Sequence, residues 1–285
     1  MAAVFVPQLV IAMALTIVVQ AVQIGAYAAR LAGVMSGRIA TSISLFNLFV
    51  TASRLASLIV VPALGALVDA AAHTAMDAHQ AHVAAPVLHR IDIQLRLIVL
   101  AGTLGTTLGA LLLPTFMLLF MRGIRSFERS GSVLRALLRL GDWHVLGAIA
   151  GSIRRPTPGI HRRFTLDHVP RKLLVSNVIV TAIYSIGVVA AYYASDLNLV
   201  ARTTATGLSG LINGIATITF TLIVDPTSAY ITDQAARGER TLEEVKALVF
   251  FLALTAIVGT LLSQLLLYPA AVVIAAASSV FYHPH

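Results

Sequence analysis

The sequence predicts an all-α integral membrane protein, with about six transmembrane helices around a polar intramembrane cavity. Hydrophobic residues make up 58% of the 285 residues and charged residues only 11%, whereas soluble domains carry about 25% charged residues. The mean hydropathy is +0.88. The apolar residues form runs of roughly 20, the length that a helix needs to cross about 30 Å of hydrocarbon. We therefore expect a single polytopic membrane domain over residues 1–285.

Six apolar runs predict the spans. They cover approximately residues 6–29, 39–68, 97–121, 173–195, 203–224 and 247–268. The first run is too long for a signal-peptide core and has no basic residue before it, so we expect it to be retained. The apolar segment after Pro269 is too short for another span and is expected to be a bent extension or an interfacial segment.

Charge predicts the orientation. The segment 122–172 carries much of the net charge of +8, because it contains eleven basic residues and only three acids. The positive-inside rule makes 122–172 a cytoplasmic basic loop, and the basic segment 225–246 another. The segment 70–96, with four histidines, is expected to be an outer loop. Both termini then lie outside. No soluble domain is long enough for nucleic-acid binding, which the basic charge could otherwise suggest.

Arg54 is the informative residue of the second run. It is the one charged side chain within the apolar runs, and no carboxylate shares them. A guanidinium keeps its proton, so it needs an anion, water or carbonyls at depth. Placing it at the centre of the bilayer costs about 2.5–3.5 kcal/mol. Such a residue usually faces a protein cavity, and its anion could come from a ligand.

Two polar stripes run along the second and fifth spans. At helical spacing, each set occupies one face, of about 140° on the second span. The alternatives are a shared polar cavity, hydroxyls bonded to their own helix, polar contacts between helices, and an Arg54 that reaches the interface. The stripes consist of Thr41, Ser44, Asn47, Thr51 and Arg54, and of Arg202, Thr206, Ser209, Asn213, Thr217 and Thr221.

Three spans in each half would give the halves opposite orientations. The second and fifth spans each follow an arginine, carry a central asparagine and end at an aspartate, Asp69 or Asp225. This pattern is compatible with a 3+3 inverted repeat. Asp225-Pro226 fits a capped helix start, and equally a gate or substrate contact. Glycine pairs at 105/109 and 210/214 permit close helix packing, within the bundle or in a homodimer.

Catalytic motifs are not found in the sequence. It contains no cysteine and no hydrolase elbow, phosphate-binding glycine loop or HExxH motif. His79 and His82 lack a third ligand at a convincing spacing. We therefore expect a carrier rather than an enzyme, with no cofactor and no metal.

The stretch AYAARLAGVMSGRIATSISLFNLFVTASRLASLIVVPALGALVD, residues 26–69, resembles the opening half of the Amj family. The resemblance rests on the segments 28–33, 53–55 and 62–65, which lead to Asp69. A second patch, Val224-Asp225-Pro226 with Thr232-Asp233 and Gly238, resembles the last cytoplasmic loop of that family. The Amj family comprises bacterial lipid II flippases, alternates to the larger MurJ flippases.

The resemblance implies a protein of the bacterial cytoplasmic membrane that moves lipid II, the undecaprenyl-diphosphate-linked disaccharide pentapeptide, from the inner to the outer leaflet. We expect Arg54 to bind the diphosphate, since a guanidinium binds phosphate oxygens in bidentate fashion. The remaining expected site residues have lesser roles: Arg30 and Arg38 as cytoplasmic capture charges, Asn47, Thr51 and Asn213 along the path, and Asp69 and Asp225 at its two ends.

Three alternatives stay open. The first is a carrier for another polyprenyl phosphate or diphosphate, such as recycled undecaprenyl phosphate. The second is a membrane enzyme that acts on a lipid-linked phosphate, for which His89, Asp92 and Asp225 would converge on Arg54. The third is a scaffold for envelope machinery, in which Arg54→Ala would leave function intact.

Overall fold

The computed structural model describes residues 6–77, 81–130, 166 and 169–281. Every described element is helical, which confirms the all-α class. Most of the expected basic loop, 131–165, lies outside the described residues. The helices are α1 (Pro7–Ser36), α2 (Ile39–Asp77), α3 (Ala81–Leu111), α4 (Leu113–Ser130), α5 (Arg171–Leu197), α6 (Arg202–Gly207), α7 (Ser209–Thr219), α8 (Asp225–Ala236) and α9 (Leu242–Phe281).

Six segments are long and apolar enough to cross a membrane, as expected. They are Pro7–Ser36, Leu55–Thr74, Pro86–Leu111, Arg171–Leu197, Arg202–Ala236 and Leu242–Phe281. Their interiors are the apolar runs of the sequence, which cannot be exposed to water without loss of the hydrophobic free energy. The fifth segment comprises α6, α7, a π-helical turn (Phe220–Val224) and α8.

The bundle has two ends, and each is named here after an aspartate. At the Asp225 end, α1 ends, α2, α5 and α9 begin, and α8 follows the π turn. At the Asp69 end, α5 ends and α6 begins, and Asn198 of their connection donates hydrogen bonds to Ser278 and Ser279 of α9. Val6 lines a cavity with Ala70, so the first described residue also lies at the Asp69 end.

The third apolar run, 97–121, is divided between α3 and α4. The two helices meet at Leu112, whose N–H bonds to the Leu108 carbonyl, while the Phe116 N–H bonds to the Leu112 carbonyl. Pro114 supplies no N–H between these two bonds, and its ring disfavours helical geometry at the preceding residue. The break between α3 and α4 therefore follows from Pro114. The part of this segment that is long and apolar enough to cross a membrane is Pro86–Leu111.

The segment 70–96 is mostly helical, so the expectation of a loop there is wrong for its described part, while its expected position outside the membrane stays a prediction. Helix α2 continues to Asp77 and α3 begins at Ala81. The segment is rich in alanine, the strongest helix former, and it carries no glycine. Beyond the sixth apolar run, α9 likewise continues as one helix through Pro269 to Phe281, so the apolar tail extends the helix.

Glycines bring α1 and α3 together. A Cβ at Gly109 would lie 2.7 Å from the Ala21 carbonyl oxygen, and one at Gly105 would lie 2.8 Å from the Ile17 Cα. This pair packs within the bundle, as expected. Gly210 and Gly214 differ, because a Cβ at either would meet no described atom within 4 Å.

The π turn lies directly before Asp225. The Asp225 N–H bonds to the carbonyl of Phe220, five residues earlier, because Pro226 interrupts the ordinary helical ladder. The N-cap residue of α8 is Val224, and Asp225 is the first residue of the helix. The capped start, one of the alternatives for Asp225, is therefore not what the structure has. Turns of this kind are frequent at functional sites.

Candidate functional site

Two adjoining cavities lie in the middle of the bundle. Their volumes are about 250 Å³ and about 190 Å³. Both contact the amides of Gln20 and Gln23 on α1, the hydroxyl-bearing Ser57 on α2, and Tyr184 on α5. The first also contacts Ser53, Thr106 and Thr217, and the second contacts Ser185 and Asn213. Polar groups from α1, α2, α3, α5 and α7 therefore converge on one place.

Two polar atoms at the second cavity are buried without a hydrogen-bond partner among the residues that the structure describes. They are the Asn213 Oδ1 and the Ser185 Oγ. The Asn213 amide packs against Gly187 of α5, where any Cβ would collide with it. A buried polar atom without a partner costs about 1–3 kcal/mol, so a bound polar group or water would stabilise this cavity.

Helices α2 and α7, which carry the two polar stripes, flank the first cavity without extensive contact between them. Val50 and Ser53 line it from α2, while Ala216 and Thr217 line it from α7. In the described part of the chain, both helices instead pack against α5. Large apolar side chains on their outer sides, such as Leu58 and Leu211, are exposed and suit contact with lipid.

The expected stripe residues divide between the cavities and the outer surface. Asn213 and Thr217 line the cavities, and the Thr217 hydroxyl also donates to the Asn213 carbonyl oxygen. On the second span, Asn47 and Thr51 are exposed, and the Thr51 hydroxyl donates to the Asn47 carbonyl oxygen at 2.8 Å. Neither lines a described cavity. The bonding of hydroxyls to their own helix, one of the alternatives, accounts for Thr51.

The side chain of Arg54 is outside the described part of the structure, although its backbone lies on α2. It comes four residues after Val50, three before Ser57 and seven before Val61. All three of these residues line the cavities. Residues at spacings of three, four and seven share a helix face, but these spacings also relate Arg54 to Asn47, Thr51 and Leu58, which are exposed. Arg54 therefore falls at the edge of the cavity-lining face of α2, and its place in the binding site stays a prediction.

Arg30 and Asp225 form an ion pair that joins α1 to α8 at the Asp225 end. The Arg30 side chain is 12% exposed and the Asp225 side chain 49% exposed. Arg38, at the same end, forms an ion pair with Glu128 of α4, with Nε and Oε1 2.9 Å apart and both side chains largely exposed. The two expected capture charges are thus both paired in the described state.

Asp69 and Arg202 form the corresponding ion pair at the opposite end, between α2 and α6. The Arg202 side chain is 24% exposed and the Asp69 side chain 62% exposed. A cavity of about 210 Å³ lies beside the pair and is also lined by Tyr192, Ser195 and Thr206. Each expected path end is therefore an aspartate bound to an arginine from the other half of the chain.

Gln20 and Gln23 are functional candidates that the sequence reasoning missed. Two amides three residues apart in an otherwise apolar run share one helix face, and this spacing could have identified them. Asn177 has a different role: its side chain accepts from the Tyr27 hydroxyl and donates to the Leu252 carbonyl oxygen. It is a buried contact between α1, α5 and α9.

The residues needed for the enzyme alternative do not converge. Asp92 is paired with Arg96 on α3, whereas Asp225 is paired with Arg30 at the opposite end of the bundle. His89 is exposed. The part of the chain that the structure describes also holds no group of three or more histidines or acids that could bind a metal ion.

Comparison with known proteins places the chain in a family. The Amj family, described as alternate to MurJ, matches residues 15–278. The lipid II flippase Amj of Bacillus subtilis (strain 168) is 34% identical over 260 residues, which cover 91% of this chain and 92% of that protein. No solved structure matches the chain significantly. With a family match over nearly its whole length, the chain belongs to the Amj family.

Proposed function

We propose that this chain is a flippase that moves lipid II from the inner to the outer leaflet of the bacterial cytoplasmic membrane. The observation that carries the proposal is the 34% identity, over 91% of the chain, to a protein named as a lipid II flippase. The six membrane-length helices and the polar groups that converge within the bundle supply what such a substrate requires. No step of this transport changes a covalent bond, so the protein would act as a carrier and not as an enzyme.

The arrangement of α2 and α7 suits a substrate with a polar headgroup and a long apolar tail. The cavity between them would bind the headgroup, since it is lined by amides and hydroxyls. The polyprenyl tail would stay in the lipid, against the exposed apolar residues of the two helices. Because α2 and α7 make no extensive contact in the described residues, the tail can pass between them as the headgroup crosses.

Arg54 would bind the diphosphate. From the edge of the cavity-lining face of α2, three residues before Ser57, it would bring a permanent positive charge to a place that the described residues line with neutral groups. A charge-assisted bond to a phosphate oxygen is roughly twice as strong as a neutral hydrogen bond. Gln20, Gln23 and Asn213 would then contact the sugars and the peptide. Asn47 and Thr51, which are exposed, would contact substrate only as it enters or leaves.

The two ion pairs would close the ends of the path in turn. Pockets for drug-sized ligands have roughly 300–1,000 Å³, and a headgroup with two sugars and five amino acids is larger still. Cavities of about 250 and 190 Å³ cannot hold it. The Arg30–Asp225 and Asp69–Arg202 pairs join opposite halves of the chain in reciprocal fashion. We infer that one pair at a time separates to admit or release the headgroup, as in carriers built from inverted repeats.

The positive-inside rule gives the direction. Basic residues at the Asp225 end include Arg38, Arg171, Lys172, Arg237 and Lys246, whereas the described basic residues near the Asp69 end are Arg90, Arg96 and Arg202. The Asp225 end would therefore face the cytoplasm and the Asp69 end, with both termini, the outside. Lipid II would enter past Arg30–Asp225 and leave past Asp69–Arg202.

The test is transport of lipid II in liposomes that contain the purified protein. We expect wild type to move lipid II, Arg54→Ala to lose nearly all transport, and Arg54→Lys to keep part of it, because an ammonium retains the charge but not the bidentate geometry. Arg237→Ala is the matched control. It removes an arginine that has no place in the proposed path and whose pair with Glu239 is exposed, and we expect at most a small loss of transport.

Other outcomes distinguish the alternatives. Normal transport by Arg54→Ala would remove Arg54 from the binding site. Wild type that fails with lipid II but moves undecaprenyl phosphate would favour the carrier for the recycled lipid. Chemical turnover of the lipid during the assay would favour the enzyme, and an absence of any lipid movement would favour the scaffold.

A further inference from the structure

Asp196, near the end of α5, is a buried carboxylate that the proposed transport path does not use. Its side chain is 6% exposed. Both of its carboxylate oxygens are buried without a hydrogen-bond partner among the described residues. An ionised carboxylate in such a place forfeits the solvation that water would give and receives no hydrogen bond in return. We therefore expect the Asp196 carboxylate to bind a proton or a cation.

The surroundings of Asp196 are electrostatically unbalanced. The Arg202 guanidinium and the Asp69 carboxylate both act on it at short range, so two acids share one arginine at the Asp69 end. The neighbouring residue, Ser195, lines the cavity of about 210 Å³ beside the Asp69–Arg202 pair. The same cavity is lined by Asp69 and Arg202, the two charged groups that act on Asp196.

The other titratable groups around Asp196 have partners of their own. On α3, the Asp92–Arg96 pair faces Tyr193. On α9, Tyr268 packs against Tyr193, and the described part of that helix after Gln264 carries no charged residue. On α5 itself, Tyr192 faces Asp69. None of these groups supplies a second positive charge for Asp196.

We propose that Asp196 binds a proton from the outer solution and that this proton controls closure of the Asp69 end. The inference rests on the proposed function, for which it supplies the control of the outer end. A proton needs one carboxylate oxygen, whereas a metal cation needs several ligands. The described residues hold no cluster of histidines or acids for a metal.

The coupling would act through Arg202. While Asp196 is ionised, it competes with Asp69 for the one guanidinium, and the pair between α2 and α6 is weakened. Proton binding converts Asp196 to the neutral acid and leaves Arg202 to Asp69 alone. A proton taken up from the outer side would thus close the Asp69 end, and its release would favour opening.

The first experiment detects the proton without transport. Infrared difference spectra of the purified protein in lipid should contain the carbonyl stretch of a protonated carboxyl group, under conditions where exposed carboxylates are ionised. We expect this band in wild type, its loss in Asp196→Asn, and its retention in Asp92→Asn, the matched control from α3 whose acid is held by Arg96. A band absent from wild type, or one that persists in Asp196→Asn, overturns the proposal.

The second experiment measures lipid II movement in liposomes at several pH values, with equal pH on both sides and the membrane potential held at zero. We expect lower pH to slow wild type, because proton binding closes the Asp69 end, and to leave the rate of Asp196→Asn unchanged. A rate that depends on the sodium concentration and not on pH would overturn the proton in favour of a cation. If wild type moves no lipid II and the infrared band still disappears in Asp196→Asn, the proposed function fails while the proton site stands.

Discussion

The two ends of the bundle are closed by the same chemistry but differ in charge balance. At the Asp225 end, Arg30 is 12% exposed and pairs with Asp225, which follows a π turn. At the Asp69 end, Arg202 is twice as exposed and serves two acids, Asp69 and the buried Asp196. One pair is thus a fixed contact between α1 and α8, while the other changes its charge balance with the protonation of a third group.

This difference suggests that the two ends open in response to different ligands. In the Arg30–Asp225 pair the arginine is largely buried. This pair would therefore separate only when another anion, such as a phosphate, replaces the Asp225 carboxylate. The Asp69–Arg202 pair depends on the state of Asp196, so it can respond to the outer solution. Under the proposed orientation, the substrate would open the cytoplasmic end and the proton would control the outer end.

Cross-linking each end separately should give the largest effect. The chain contains no cysteine, so the double variants Arg30→Cys/Asp225→Cys and Asp69→Cys/Arg202→Cys each present one thiol pair. We expect a reducible bifunctional thiol reagent to abolish lipid II transport in both variants relative to the same protein without reagent, because both ends must open in turn. Added reductant should restore the rate. Full transport by either cross-linked variant would show that its end stays closed throughout the cycle.

Breaking the pairs one partner at a time should destabilise the ends unequally. Loss of one partner of a buried pair costs about 3–5 kcal/mol. We expect Asp225→Ala to cost less, about 1–3 kcal/mol, because Arg30 is largely buried but Asp225 is about half exposed. Asp69→Ala should cost about 1 kcal/mol or less, since Asp69 is mostly exposed.

The measurement is the thermal midpoint of the two variants in detergent. The doubly substituted Arg30→Ala/Asp225→Ala protein is the control, and it should be more stable than Asp225→Ala, because no unpaired guanidinium remains. Equal midpoints for Asp225→Ala and Asp69→Ala would contradict the unequal roles of the two ends.

A glycine substitution tests whether the close packing of α1 against α3 stabilises the bundle that carries both ends. Gly109→Ala would place a methyl group 2.7 Å from the Ala21 carbonyl oxygen and push α1 away from α3, and overpacking of this kind costs about 1–3 kcal/mol. Gly214→Ala is the matched control, because a Cβ there meets nothing within 4 Å. We expect a lower thermal midpoint for Gly109→Ala only. A loss of similar size in both would point to backbone effects and not to packing against α1.

The number and type of the membrane-spanning helices could be predicted from the sequence, because each of them appears there as one apolar run of sufficient length. The positions of their ends could not be predicted so well. Helix α2 continues past Asp69 through alanines that are neither strongly apolar nor helix-breaking, and hydropathy does not register them. Pro114 indicates that the helix is interrupted between α3 and α4. The apolar run around it, however, has the length of one ordinary span and so predicts a single helix.

The candidate site could be predicted less completely, because ion pairs and cavities depend on which helices meet. Asp69, Arg30 and Asp225 stand out singly in the sequence, yet their partners are 133 and 195 residues away. Asp196 lies at the end of an apolar run, where an acid normally marks the interface, and only the packing around α5 shows that it is buried. The spacing of Gln20 and Gln23 shows that their amides share one face of α1, but only the packing shows that this face lines the cavities.

The most direct test of alternate closure is the distance across each end in the presence and absence of lipid II. Spin labels at Met35 and Tyr230 report on the Asp225 end, and labels at Thr74 and Val200 report on the Asp69 end; all four residues are exposed. We predict that pulsed electron paramagnetic resonance detects a longer distance between the two labels at one end, while the labels at the other end keep their short distance. Addition of lipid II should change which end is open. Distances that lengthen together at both ends, or that lipid II leaves unchanged, would contradict the account.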